Sequence, residues 1–184
     1  MSAAITAPSP ALGDAQTLLR PWRKTDLDAF CRACDDDEIT RWAGLPAHVN
    51  EADAREYLDA RVNGWKTGNR ADFVITSAFD GRFLGAINLR GIERQRGLAE
   101  VGFWLLPDAR GAGVASRALT WVSDWAFGVL GLSSLVMIVD GRNESARKVA
   151  ERAGFRIDRL TRRELDGEVV EDYTYSLSRA ARSG

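Results

Sequence analysis

A glycine-rich segment, Arg110-Gly111-Ala112-Gly113-Val114-Ala115, joins a strand-like run to a long helical stripe. That junction constrains the fold more than any other feature of the chain. The first turn of a helix leaves backbone N–H groups without intrahelical partners and carries about half a positive charge. Glycines let the backbone come close to a phosphate, so the junction suits an anion. Arg110 adds a charged donor at the same point. A plain turn is the alternative. Two other phosphate loops do not fit. No Gly-Lys-Ser/Thr follows, as a Walker-type loop requires. A dinucleotide fingerprint would open a first βαβ unit and place a third glycine in register. Here the loop comes mid-chain, after strands of antiparallel pattern.

The flanking pattern sets the expected elements. Gln16 to Arg20 reads as a short strand closed by Pro21. Thr25 is a fitting N-cap for a first helix that runs to about Cys34. Asp35, Asp36, Asp37 and Glu38 read as a solvated acidic turn. Asn50 caps a second helix with the stripe Ala54, Tyr57, Leu58, Arg61, Val62 and Trp65, ended by Gly64 and Gly68. Asp72–Phe79 and Phe83–Leu89 flank Asp80-Gly81, a short hairpin signal. With Leu98–Leu106 they make an antiparallel meander. Val114 to Val129 trace the long helix. Leu135 to Val139 is a continuous apolar run, as in a strand buried on both faces. Asn143 opens a helix that ends at Gly154, and a last hairpin turns around Asp166-Gly167. The expected fold is α+β: a mixed, mostly antiparallel central sheet flanked by helices. Residues 1–15 read as a flexible leader, 16–178 as a single domain and 179–184 as a flexible tail.

Composition narrows the function. Lys plus Arg number 25 against 26 Asp plus Glu, so a basic nucleic-acid surface is not expected. One His and two Cys leave no zinc finger and no disulfide scaffold. Cys31 and Cys34 share a helical stripe with Leu27 and Phe30. They read as small buried hydrophobes rather than a redox pair or half a metal site. No metal is expected. No apolar run approaches the roughly 20 residues needed to span a bilayer, and no secretory signal is present, so a cytoplasmic location is expected.

Strand, Arg-Gly-x-Gly-x-Ala, long helix, buried strand, then Asn143 opening a helix that ends in Gly154-Phe155 resembles the GNAT superfamily of acyl-CoA N-acyltransferases. Leu19-Arg20-Pro21-Trp22 with Asp26, and Asp37 to Trp42, resemble the opening of its RimJ/RimL-like branch. Ala99 to Pro107 and Val149 to Phe155 resemble that branch too. The likeness covers roughly residues 16 to 178.

The resemblance implies acetyl transfer from acetyl-CoA to a primary amine: a protein N-terminus, a Lys side chain or a small-molecule amine. It implies coenzyme pyrophosphate on Arg110, Gly111, Ala112, Gly113, Val114 and Ala115, and pantetheine along Trp104, Leu105 and Leu106. Asn143 would hydrogen-bond the pantetheine, or serve only as an N-cap. Arg117, Arg147 and Lys148 are each a 3′-phosphate contact or a solvated cation. Glu100 is the expected general base, acting through a water, or else an outward-facing strand carboxylate. The Tyr that many members carry in the last catalytic helix is replaced by Ala150, and the branch's Ser position by Ala146. Ser145 is therefore the catalytic candidate at the sulfur, with Tyr173 and Tyr175 in reserve. Trp42, His48, Asn88 and Trp104 are expected to line the acceptor pocket. Alternatives are another acyl donor such as succinyl-CoA, or a non-catalytic CoA-binding module. The partner is a small or peptide amine, without nucleic acid or membrane, and the chain a monomer or homodimer.

Overall fold

The computed structural model describes residues 3–165 and 167–182. The chain runs β1 (Leu12–Gly13), β2 (Thr17–Pro21), α1 (Leu27–Cys34), α2 (Asp37–Ala43), α3 (Glu51–Thr67), β3 (Arg70–Ser77), β4 (Phe83–Glu93) and β5 (Leu98–Leu105). It continues α4 (Val114–Gly128), β6 (Ser134–Asp140), α5 (Glu144–Arg152), β7 (Arg156–Leu165), β8 (Glu168–Ser178) and α6 (Arg179–Arg182). The strands form one sheet in the order β1-β2-β3-β4-β5-β6-β8-β7. All neighbours are antiparallel except β5 and β6, which run parallel. The expected mixed, mostly antiparallel α+β fold is what forms.

Side chains alternate across a strand, so each face has its own core. Phe73, Ile75, Ile87, Leu89, Val101, Leu135 and Met137 pack on one face against Ala118, Leu119, Val122 and Trp125 of α4. Trp125 meets Phe73 edge-on and Trp65 at a tilt, so it is a core residue. On the other face Val74, Ala86 and Trp104 pack against Trp22, Phe30 and Leu58. Farther along this second face the cross-strand rows turn polar: Arg70–Arg90–Glu100, then Asp72–Asn88–Gly102.

The decisive feature is where pairing stops. β5 and β6 pair only through Leu98–Ser134, Ala99–Leu135 and Glu100–Val136. Beyond that point β5 continues on β4 and β6 continues on β8. The two strands therefore part inside the sheet and leave facing backbone edges.

Several expectations are corrected. The leader is not loose: Ile5 is buried and donates its N–H to the Trp65 carbonyl at 2.8 Å, and β1 pairs with β2. Of the tail, Arg179–Arg182 form a helical turn in which Arg182 bonds Asp124; residues 183 and 184 lie outside the described residues, as does Asp166 of the last hairpin turn. The acidic run is not a free turn. Asp36 caps α2 by accepting the Ile39 N–H. A 3-10 turn, Lys24–Asp26, precedes α1, so Thr25 is not its cap. α3 passes through Gly64 and ends at Gly68, whose left-handed φ of 72° closes it. The Ser77 hydroxyl accepts the Phe79 and Asp80 N–H groups and turns the chain early, leaving Phe79 exposed. β6 is buried on one face only: Ile138 is 57% exposed, because its face opens onto the gap beside β5. Val62 and Val129, expected on apolar stripes, are exposed. Among the described residues no helix is long and apolar enough to cross a membrane.

Gly85 sets how closely β4 and β5 approach. A Cβ there would lie 2.2 Å from the Trp104 carbonyl oxygen and 2.8 Å from the Leu105 Cα, both backbone atoms. Gly85→Ala is expected to lower the unfolding free energy by about 1–3 kcal/mol, an overpacking cost, read by urea denaturation.

Candidate active site

The parted strands open a cleft of about 470 Å³ that runs through the sheet. On the α4–α5 side it is lined by Gly111, Gly113, Val114, Ala115, Ser116, Asn143, Ser145, Ala146, Lys148 and Arg152. On the α1–α3 side it is lined by Trp42, Leu45, Tyr57, Arg61, Arg70, Asn88, Arg90, Glu100, Gly102 and Trp104.

The start of α4 is open. Asp36, Asn50 and Asn143 cap α2, α3 and α5 with side-chain oxygens, whereas Gly113 gives α4 no side-chain cap. Gly111 and Gly113 are both left-handed, at φ 80° and 73°, which favours glycine. Ser116 Oγ is buried beside this turn with no hydrogen-bond partner among the described residues. Open amides, an unpartnered hydroxyl and the flanking Lys148 and Arg152 suit a phosphate-bearing ligand.

Arg110 lines the cleft, but its guanidinium is engaged by other groups, which corrects the expectation of a free charged anion donor. Its guanidinium bonds the Leu105 carbonyl at 3.1 Å, Asp36 at 2.9 Å and Glu38. It ties the loop to β5 and α2. Burial alone would raise the Asp36 carboxyl, but the Ile39 N–H and Arg110 outweigh it and hold Asp36 below the usual carboxylate range. Arg117 is likewise held by the Ala112 carbonyl and the Thr17 hydroxyl. Ala112 itself is exposed and does not line the cleft.

The β5 edge is offset by one residue from the expected Trp104–Leu106. The Leu106 N–H donates to the Leu84 carbonyl, and the Trp104 carbonyl faces Gly85. By alternation Phe103 and Leu105 turn their backbone groups towards the parted side. Leu106 is buried in the core, while Trp104 lines the cleft with its ring. Phe103 was missed in the sequence; only the register of β4 against β5 reveals it.

Glu100 lines the cleft, half-buried, in an ion pair with Arg90 directly across β4. Asn143 keeps its cap, accepting the Ala146 N–H at 3.0 Å through Oδ1, with Ser145 beside it. Asn88 Oδ1 is buried with no partner among the described residues. Trp42 lies in the cleft. His48 does not: it is exposed, left-handed at φ 53° and 3.3 Å from Asp35, beyond the end of α2. Tyr175 is fully buried, bonding Glu151 at 2.9 Å, and Tyr173 lies under Arg147; neither lines the cleft. Cys34 is buried, which with the neighbouring Cys31 and Asp35 pushes its thiol up to about 11.

A central sheet that parts beside an uncapped, glycine-led helix start is the arrangement expected from the resemblance to the acyl-CoA N-acyltransferases. The comparisons with known proteins agree. Residues 16–156 match the model of the acetyltransferase (GNAT) domain, and the chain belongs to that family. It is 34% identical over 140 residues to the spermidine N(1)-acetyltransferase of Escherichia coli K12, covering 76% of this chain and 73% of that one. Its fold matches the Vibrio cholerae spermidine N-acetyltransferase solved with CoA and spermine, at TM-score 0.82 and 18% identity over 93% of this chain and all of the other. It also matches Mycobacterium smegmatis RimJ solved with CoA-disulfide, at TM-score 0.80 and 24% identity over 90% and 84%. The chain is a GNAT N-acetyltransferase, and it shares its fold with RimJ.

Because Asp36 titrates lower when folded, its contribution is present above the unfolded value near 4 and is lost as pH falls through the folded value. Asp36→Asn keeps a capping side chain but removes the charge. It is expected to cost up to about 1 kcal/mol at neutral pH, the ceiling for a pair still open to solvent. The difference from the parent should close below about pH 4, as read by thermal melts across pH.

Proposed function

We propose that the chain moves the acetyl group of acetyl-CoA directly onto a primary amine. The observation that carries this reading is the parting of β5 and β6 at Glu100–Val136 beside the open start of α4. Acetyl-CoA, when bound, supplies an activated thioester. The amides of Gly111, Gly113, Val114 and Ala115, with Ser116 Oγ, would hold its pyrophosphate. The Phe103 and Leu105 edge would take the pantetheine, with the side-chain amide of Asn143 opposite. A backbone N–H on that edge supplies a fixed donor to a carbonyl, the preorganised dipole that lowers acyl-transfer barriers.

An amine must lose a proton to attack and be acylated. Glu100 is the carboxylate nearest the parting and accepts that proton, directly or through one water. Arg90 holds its side chain in place. Ser145, exposed in the first turn of α5, is the hydroxyl beside Asn143 on the coenzyme side of the cleft and the donor to a departing thiolate. His48 has no part in this reading. A cytoplasmic setting accords with two free thiols, Cys31 and Cys34.

The test is thiol release from acetyl-CoA with a panel of amines. Glu100→Gln is expected to lower kcat by about 100-fold or more, the usual worth of a general base, with CoA affinity kept. Unchanged turnover would remove Glu100 from the mechanism.

A further inference from the structure

The acceptor side of the cleft contains a buried charge arrangement that the proposed reaction does not use. Asp72 on β3 is 2% exposed, and Arg70 clamps it with two hydrogen bonds of 2.7 Å. That bidentate grip engages both carboxylate oxygens. Arg61 on α3 reaches the same carboxylate only at 3.4 Å. The Arg61 guanidinium also lies over the Tyr57 ring, 3.6 Å from its centre, and Tyr57 stacks on Phe30 at 4.0 Å. Burial pushes the Tyr57 hydroxyl up, so the ring under Arg61 is neutral at physiological pH.

The arrangement is rigid. Gly64, one turn beyond Arg61 on α3, has no side chain because the Arg70 stem lies against it: a Cβ there would be 2.2 Å from Arg70 Cγ. Arg61 and Arg70 are only 18% and 25% exposed, and both line the cleft. Asn88 stands opposite Asp72 on β4, its buried oxygen without a partner among the described residues, next to Gly102 on β5.

The local charge has a sign. Arg61, Arg70 and Arg90 face this end of the cleft, against the carboxylates of Asp72 and Glu100. One guanidinium is left over in a partly desolvated place. A planar guanidinium stacked on an aromatic ring presents its edge donors to a planar, bidentate anion. Adjacent strands are about 4.8 Å apart, so the β3 row lies roughly 10 Å from the β5 edge at the backbone, less at the tips of the arginines. One small molecule can bridge the two.

We propose that Arg61 and Arg70 form a subsite for a carboxylate carried by the acceptor amine, so that the acceptor is an amino acid or similar amino-carboxylate rather than a polyamine. The proposal rests on the acetyltransferase reading and deepens it. The carboxylate seats on Arg61, the Asn88 carboxamide meets the polar atoms between, and the amine lies towards Glu100 and the parting of β5 and β6. A polycation would bring further positive charge to a site that already has an excess of it.

The test compares the common L-amino acids with their carboxamides and with spermidine, using the full chain. Thiol release from acetyl-CoA gives kcat/KM, and calorimetric titration in the presence of CoA gives affinity without turnover. The best amino acid is expected to exceed its own amide by about tenfold or more in both, with spermidine poorer than either. Tenfold corresponds to about 1.4 kcal/mol. Arg61→Gln leaves the Arg70–Asp72 clamp intact and should bring the acid-to-amide ratio towards one. Arg70→Gln should do the same where a melt shows it folded. Spermidine or the amides preferred, no binding by any amino acid, or a ratio untouched by Arg61→Gln would each overturn the proposal. A preference for succinyl-CoA over acetyl-CoA that Arg61→Gln abolishes would place the carboxylate on the donor and overturn the acceptor assignment. If no amine gives thiol release, the reaction reading fails, while calorimetry still decides the subsite.

Discussion

The interruption of backbone pairing between β5 and β6 is the constraint on which the rest of the structure depends. Backbone N–H and C=O groups need partners, and a gap within a sheet exposes two rows of them at once. The gap persists because each strand is secured on its other side. β5 is paired to β4 along its length, with Gly85 allowing close approach, and β6 is paired to β8 through Asp140. Arg110 also satisfies the Leu105 carbonyl at the open end of β5. What is left is a pair of polar edges, pre-aligned and able to accept an extended, hydrogen-bonding ligand arm without strand movement.

Near-balanced formal charge conceals how the arginines are deployed. Many are held against carboxylates: Arg20 on Asp26, Arg70 on Asp72, Arg110 on Asp36, Arg142 on Asp140, Arg163 on Asp172 and Arg182 on Asp124. Such pairs fix loops and strand ends more than they add stability, since exposed ones contribute little. In the proposed reading, attraction for a polyanion would come from the open amides at α4 with Lys148 and Arg152, since Leu105, Asp36 and Glu38 take up the Arg110 guanidinium. On the proposed acceptor side Arg61 stands out, because it shares its carboxylate, Asp72, with the more tightly bound Arg70.

Local sequence pattern revealed the elements whose signals are local. The meander, the glycine-led helix and the caps at Asn50 and Asn143 follow from periodicity and from hydrogen bonds spanning three residues. The departures share a physical cause: contacts across long sequence separation. Asp36 and Glu38 read as a solvated turn because their partner, Arg110, lies more than 70 residues away. Ile138 reads as buried because apolar runs do not announce that a neighbouring strand has turned aside. The leader reads as loose because the Trp65 carbonyl and β2, not its own composition, hold it. The one-residue offset from Trp104–Leu106 to Phe103 and Leu105 comes from the β4–β5 register, which no single strand encodes.

The two faces of the sheet divide the chemistry between different parts of the chain. The proposed coenzyme side is built from β5, β6 and the starts of α4 and α5, where open backbone groups are supplemented by a few side chains such as Ser116 and Asn143. The acceptor side is built from α2, α3 and the polar rows of β3 and β4, where side chains dominate. Substitutions at Arg61, Arg70 or Asn88 would therefore change the proposed environment of the amine without touching the amides that would meet a phosphate. Glu100 sits where the two sides meet, at the last residue of β5 still paired with β6. Its place is set by the parting of the strands rather than by either ligand. In the proposed reading a base there would serve whichever amine the acceptor wall admits, so selectivity and proton removal would be separable.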